Sequence, residues 1–419
     1  MGTIIEIVLI CLTLSLCVES DKNDKNAIES ACCALKISNA LRLTCVADLN
    51  LPPNILQDYG TDIQNLEVNF YSQSESIFLS LHLESIADFK NLTSLAIQRA
   101  DISFTRKYVV PIDSLKDLKL LHCAFNEVPT KLLKSSRNLE NLSLEKNRIR
   151  IIEPSAFNSL KHLKDLNLSW NRIHILTPDC FEGLNKLEKL NLSYNDFTAM
   201  PGIFYGLNQL KTLDLTRALL PKGHQDRNPK DPVFLEDITV LVPGLFDDTP
   251  QLHYLRLDRN PIKNIAKGVF NNLRFLKELS ITISSVATIE PGAFSGLNLA
   301  KLDLSGTPTE TIMFEVLSAG QVGGLLPIRN HISKIQPRTF DKLSVLTLNM
   351  SFNFLSVIGD EDFYGLEVGE LILSGNGIIK IAPDAFKSTK VKKIKIGSRL
   401  AVSVDKKQLG LREVVTLEK

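Results

Sequence analysis

Leu139-Glu-Asn-Leu142-Ser-Leu144-Glu-Lys-Asn147-Arg-Ile149 decides the fold, because its spacing returns at Leu163-Lys-Asp-Leu166-Asn-Leu168-Ser-Trp-Asn171-Arg-Ile173. It returns again at Leu187-Glu-Lys-Leu190-Asn-Leu192-Ser-Tyr-Asn195-Asp-Phe197. Each copy reads L-x-x-L-x-L-x-x-N-x-L, with Ile, Val or Phe also used at the last position. Later copies begin at Leu210, Leu252, Leu276, Leu299, Val322, Val345, Val368 and Val391, and more degenerate ones at Leu92 and Leu115. A second ladder confirms the register. Phe157, Phe181, Phe204, Phe246, Phe270, Phe294, Phe340, Phe363 and Phe386 follow one another at 23 or 24 residues, apart from intervals of 42 and 46. The first of these is one unit carrying an insertion; the second is two units with one Phe skipped.

The spacing has a direct physical reading. L-x-L is a short strand whose leucines point inward while their neighbours point out. The Asn at the ninth position can bond backbone groups of adjacent coils, and the Phe fills the far side of each coil. One coil alone buries neither, so coils must stack into a continuous core. Departures mark local weak points. Asn is replaced by Cys123, Ala218, Ser284, Thr307 and Arg399, and Pro327 stands where a strand leucine belongs. Cys123 reads as a small buried substitute on the ladder, and Cys180, beside Phe181, takes a place held elsewhere by Ala156, Ala293 or Ala385. Pro327 should weaken strand pairing.

This pattern resembles the extracellular subtype of the leucine-rich repeat family, over roughly residues 41 to 404. The resemblance implies an α/β-type solenoid, a horseshoe with a parallel sheet on its concave face and about 13–14 repeats of 23–24 residues. Residues 61–410 form the expected array, interrupted by a Pro-rich polar loop at 219–236. Residues 21–60 hold a polar leader and a segment, Leu41-Arg-Leu43-Thr-Cys45 with Leu49-Asn-Leu51, similar to the family's cysteine-containing amino-terminal cap. That cap implies a disulfide from Cys45 to either Cys32 or Cys33. No cysteine follows Cys180, so residues 411–419 lack the family's disulfide-bonded terminal cap. Leu411 to Leu417 closes the stack as a plain final strand, or the end joins another chain, or the sequence continues beyond Lys419.

Length and charge agree with a secreted protein. The apolar run Ile4 to Val18 ending in Val18-Glu19-Ser20 reads as a signal peptide over 1–20. No other stretch of the sequence is apolar enough to span a bilayer. With 48 basic and 47 acidic residues, net charge is +1, which argues against a nucleic-acid binder. The seven His are scattered, and no nucleophile motif, metal-ligand spacing or phosphate loop occurs. The expectation is a binding protein without metal or cofactor rather than an enzyme.

Candidate surface features follow from the repeat register. Sequons fall at Asn91, Asn141, Asn167, Asn191 and Asn349. The L-N-L-S strand pattern generates such triplets by itself, and if occupied, Asn167, Asn191 and Asn349 would carry sugar on the concave face. Among the outward strand positions, Trp170, Tyr194 and Arg217 recur at one place in successive units, followed by Tyr254, Arg256 and Arg259 with Asp214 and Asp258 interspersed. These residue types dominate interface energetics, so the row is the expected binding surface for an extracellular protein ligand. The family resemblance implies an adhesion, matrix or immune-recognition role similar to that of the repeat regions of Toll receptors, Slit and chaoptin. The alternative is self-association into a homo-oligomer through the carboxyl end. A weaker one is anionic-glycan binding by the basic segment 387–407, whose eight Lys or Arg stand against Asp405 alone.

Overall fold

The structure, a computed structural model, describes residues 32–46, 62–71, 79–82, 89–103, 113–220, 241–290, 292–308, 321–397, 406–412 and 415–418. The signal segment, Cys11 and Cys17, residues 47–61, most of the 219–236 loop and Arg399 lie outside that set. The chain forms two compact units, one of residues 1–173 and 180–187 and the other of 174–179 and 188–419. Both are built from the same solenoid coil of one parallel strand followed by turns. Among the described residues the only helix is Thr130–Lys134.

In the first unit a hairpin of Cys32–Ile37 and Ala40–Val46 supplies an antiparallel pair, and parallel rungs follow. The register aligns Leu41, Leu66, Leu95, Leu118, Leu142 and Leu166 on successive strands. In the second unit it aligns Leu190, Leu213, Leu255, Leu279, Leu302, Leu325, Leu348, Leu371, Ile394 and Leu417. These residues are almost wholly buried up to Ile394. Leu213 pairs directly with Leu255, so the register carries across the insertion without shifting the sheet by a residue. A one-residue slip would turn every inward leucine outward, which is why the register holds across so long an interruption.

Strand length varies along the stack. The coils starting at Leu163 and Leu252 carry three-residue strands, Asp165–Asn167 and Tyr254–Arg256. Coils starting 23 residues apart, from Leu299 to Val391, carry six-residue strands such as Ser344–Asn349 and Glu367–Ile372. Coil length alone does not set this, since the 23-residue coils starting at Leu187 and Leu276 carry three-residue strands, Lys189–Asn191 and Glu278–Ser280. Gly323 and Gly369 lie within the longer strands, and a Cβ there would meet the carbonyl oxygens of Ala300 and Leu346 at 2.7 and 2.6 Å.

Both expected ladders are present. Phe157 stacks on Phe181 with ring centroids 6.4 Å apart in the first unit. Phe204–Phe246–Phe270–Phe294 and Phe340–Phe363–Phe386 stack at 5.5–6.3 Å in the second. Asn260 shows the polar ladder most fully. Its Oδ1 accepts from the Ala218 and Leu219 N–H at 3.0 and 2.9 Å, and its Nδ2 donates to the Leu215 and Leu257 carbonyls at 2.8 Å each. Asn147, Asn353 and Asn376 repeat the arrangement.

The departures behave as their chemistry dictates. Cys123 is buried and its thiol makes weak bonds to the Leu121 and Ile97 carbonyls, at 3.4 and 3.6 Å. Cys180 is buried beside Phe181, and neither thiol takes part in a disulfide. Pro327 interrupts a regular chain of bonds. Leu215, Leu257, Ile281, Leu304, Met350 and Leu373 each donate an N–H to the next coil. Pro327 has no N–H to give, and its strand pairs with Ser344–Asn349 over only two residues, Gly324↔Thr347 and Leu325↔Leu348. At the other end Thr416–Glu418 adds to Lys390–Lys395 as a further parallel rung.

Candidate ligand-binding surface

The row expected at outward strand positions splits into two kinds of place. Tyr254 and Arg256 lie on the strand, one on each side of buried Leu255, and both are exposed. Trp170, Tyr194, Arg217 and Arg259 lie in the turn after it, with φ of 55°, 54°, 48° and 58°. Every coil turns the same way here, as the Asn that follows must swing straight into the core. The turned N–H groups then bond along the stack, from Tyr194, Arg217 and Arg259 to the carbonyls of Thr216, Asp258 and Thr282, each at 2.8 Å. Left-handed geometry costs an L residue about 1 kcal/mol, and Gly306 and Gly375 avoid that cost at the same position in other coils.

In the second unit the turn row and the strand face come together. The Arg217 Cζ lies 6.0 Å from the Tyr194 ring centroid. Arg256 approaches Asp214 only at 4.0 Å, an exposed contact of little energetic weight. Asp214 also caps the turn by accepting the Thr216 N–H at 2.9 Å. Asp258 is engaged through Oδ1, which accepts from Ser280 Oγ, Thr282 N and Thr282 Oγ1 at 2.6–2.8 Å. What faces solvent is therefore Tyr254 with the guanidinium groups of Arg217, Arg256 and Arg259. Trp170, 46% exposed, belongs to the first unit and is a separate feature.

The sequons have a local explanation. Asn167, Asn191 and Asn349 are half-buried, and each Oδ1 accepts the N–H of the Ser two residues on, at 2.9–3.1 Å. Asp214 and Asp303 do the same for Thr216 and Ser305. Asn-x-Ser at this place is thus a turn cap that happens to spell an acceptor triplet. Asn91 and Asn141 are exposed.

The basic segment is less positive in space than in line. Lys387 pairs with Asp384 at 3.7 Å and Lys390 with Glu367. Lys393 and Lys395 share Glu370 and Glu418. Counting along the chain misses Glu367, Glu370 and Glu418 because they arrive from neighbouring rungs. This neutralisation weighs against the anionic-glycan reading.

A hollow on the strand face of the first unit went unread in the sequence. It measures about 430 Å³ and is lined by Arg42, Glu67, Asn69, Ala96, Gln98 and Lys119, among others. Its only signal is Ala96, a small residue in register between Glu67 and Lys119. Among the described residues no cluster of His, Cys, Asp or Glu could hold a metal, and no helix is long and apolar enough to cross a membrane.

Comparison with known proteins agrees with this geometry. A leucine rich repeat model matches residues 137–197 and 238–308, and a BspA type leucine rich repeat region model matches 325–406. A 61-residue stretch is 41% identical to leucine-rich repeat-containing protein 3B of Danio rerio, covering 14% of this chain and 24% of that protein. The structure of TLR13 in complex with ssRNA13 is similar at 25% identity and a TM-score of 0.61, over 76% of this chain and 44% of that one. Toll in the Drosophila Toll–Spatzle complex is similar at 18% identity and a TM-score of 0.63, over 94% of this chain and 56% of that one. A leucine-rich repeat protein of Leptospira interrogans gives 20% identity and a TM-score of 0.54, over 87% and 97%. The chain thus spans about half the length of the two receptor chains.

Proposed function

The chain belongs to the leucine-rich repeat family, and from that premise we propose that it is a secreted recognition protein that binds a protein ligand. The contact surface is Tyr194, Arg217, Tyr254, Arg256 and Arg259 of the second unit, with Trp170 of the first unit as a further contact. An adhesion, matrix or immune-recognition role belongs to the same proposal, and the likeness to TLR13 supports a recognition function in general.

One observation carries the reading. Three guanidinium groups and an exposed Tyr converge on neighbouring rungs, while the adjacent carboxylates are engaged in turn capping. Arg and Tyr at that density match the composition of interface hot spots. Partners obtained by pull-down from extracellular material with the full chain as bait supply the ligand for the test. Tyr254→Ala and Arg217→Gln should each weaken that binding by about 2 kcal/mol, close to 30-fold, while leaving the thermal midpoint unchanged. Unaltered affinity in both variants puts the site elsewhere. Sedimentation separates this reading from self-association: a monomer across micromolar concentrations removes the latter.

A further inference from the structure

The coils from Val322 to Ile381 carry a second surface on the flank where the chain leaves each strand. Phe352 and Phe354 stand on either side of buried Asn353 and are 55% and 63% exposed, and Ile379 in the next coil is 80% exposed. Asn353 and Leu355 point inward, so Phe352 and Phe354 share the outward side. The coils lie against each other here: Phe354 N–H donates to the Ile332 carbonyl and Ile379 N–H to that of Ser356, both at 2.9 Å. Taking about 200 Å² for each side chain when fully exposed, the three leave on the order of 400 Å² of apolar surface in water. A patch of that size on a monomer is often functional.

Two further observations give the patch a chemistry. Phe352 holds φ of 57° and Arg329 of 54°, at a position where Gly375 and Gly306 avoid the strain. Burial does not offset it, since Phe352 is more than half exposed. Instead the ring is held in place. A Cβ on Gly375 would lie 2.6 Å from the Phe352 ring, and the Arg329 Cζ is 5.4 Å from its centroid. His331 packs beside Phe354 with centroids 5.6 Å apart. Arg329 makes no ion pair among the described residues, and a guanidinium stacked on a ring keeps its N–H edge open for a bidentate acceptor. The turn row Arg329, His331, Ser333, Phe352, Phe354, Ser356, Gly375, Gly377 and Ile379 holds no Asp or Glu, and Lys334 and Lys380 are exposed beside it.

We infer that this flank docks a protein segment presenting a carboxylate between apolar side chains. The carboxylate takes the Arg329 fork, and its neighbours cover Phe352, Phe354 and Ile379. A guanidinium fixed amid aromatic rings suits a peptide carboxylate, and vesicle binding separates this from an anionic lipid surface, which would draw on Lys334 and Lys380 as well. The inference rests on the reading that the chain binds protein, but uses a different surface from the Tyr194–Arg259 stripe.

The test uses a random twelve-residue peptide library on phage, panned against the full chain. Enriched peptides should carry Asp or Glu flanked by aromatic or aliphatic residues. A synthetic peptide of that set should bind at least tenfold more weakly to Arg329→Gln, Arg329→Lys and Phe354→Ala. It should bind equally well to Phe275→Ala, an exposed control, and to Tyr254→Ala. Loss of binding in Tyr254→Ala with retention in Phe354→Ala assigns peptide binding to the stripe and overturns this inference alone. Indifference to every variant, or enrichment of peptides without an acid, overturns it as well. A dimer seen by sedimentation and abolished by Phe354→Ala makes a second copy the occupant, and binding of phosphatidylserine vesicles lost in Phe354→Ala makes it a membrane; either result refutes a peptide site.

Discussion

Asn260→Ala should be among the most destabilising single changes in the second unit. Asn260 is 2% exposed and makes four strong side-chain bonds, two as acceptor and two as donor. Its position makes it harder to replace than its fellows. The ladder residue before it is Ala218 and the one after it Ser284, whose Oγ reaches only the Thr282 carbonyl of its own coil, at 3.3 Å. Removing Asn260 leaves the Leu219 N–H without its acceptor and the Ala218 N–H with its longer bond to the Leu215 carbonyl, at 3.2 Å. At about 1 kcal/mol for each of four bonds, the cost is about 4 kcal/mol. Asn353→Ala provides the comparison. That side chain makes three comparable bonds and has Asn330 and Asn376 as neighbouring rungs, so about 3 kcal/mol is expected. Urea denaturation gives the two energies, and hydrogen exchange resolves their location. In Asn260→Ala the Ala218 and Leu219 amides should lose protection by at least tenfold, while amides of the Phe363–Phe386 coils keep theirs. A loss below about 1 kcal/mol with both amides still protected would show that water substitutes for the side chain, and the ladder argument would fail.

Other expectations are more local. The hairpin register pairs Cys32 with Cys45 and Cys33 with Thr44, and antiparallel partners lie within disulfide reach, so peptide mapping should find Cys32–Cys45 and Cys33→Ser should leave it intact. Cys123 and Cys180 are almost wholly buried and should resist maleimide in the native protein and react in guanidinium; native labelling refutes their placement. A hydrogen bond from Lys395, together with Lys393, holds the Glu370 carboxyl below the usual glutamate range, while Glu418 holds the Lys393 ammonium above the usual lysine range. The lowered Glu370 contributes stability above its unfolded value, near pH ~4.3, and loses it as pH falls further; the raised Lys393 contributes below pH ~10.4 and loses it on the alkaline side. Protection of the Ile396 amide, bonded to the Glu418 carbonyl at 3.0 Å, should therefore fall in acid below pH ~4, and Glu418→Gln should lower it at neutral pH. A flat acid limb contradicts the ion-pair account.

The repeat could be read without coordinates because burial imposes it. A leucine at each inward strand place, an Asn at the turn and a Phe opposite are required in every coil, so the requirement is written periodically along the chain. The same logic identified Cys123 and Cys180 as core and Pro327 as a break in pairing. What escaped the sequence depends on neighbours about 23 residues away. Lys393 and Lys395 read as uncompensated charge until Glu370 and Glu418 arrived on adjacent rungs. Trp170, Tyr194, Arg217 and Arg259 read as strand residues, since a strand and the left-handed turn closing it share one hydrophobic pattern. Phe354 and Ile379 carry no signal in a Leu-rich chain, because composition does not say which side of a turn faces water. Inward positions are set by period, which a sequence carries; outward contacts are set by which coil lies beside which, and only the tertiary structure supplies that.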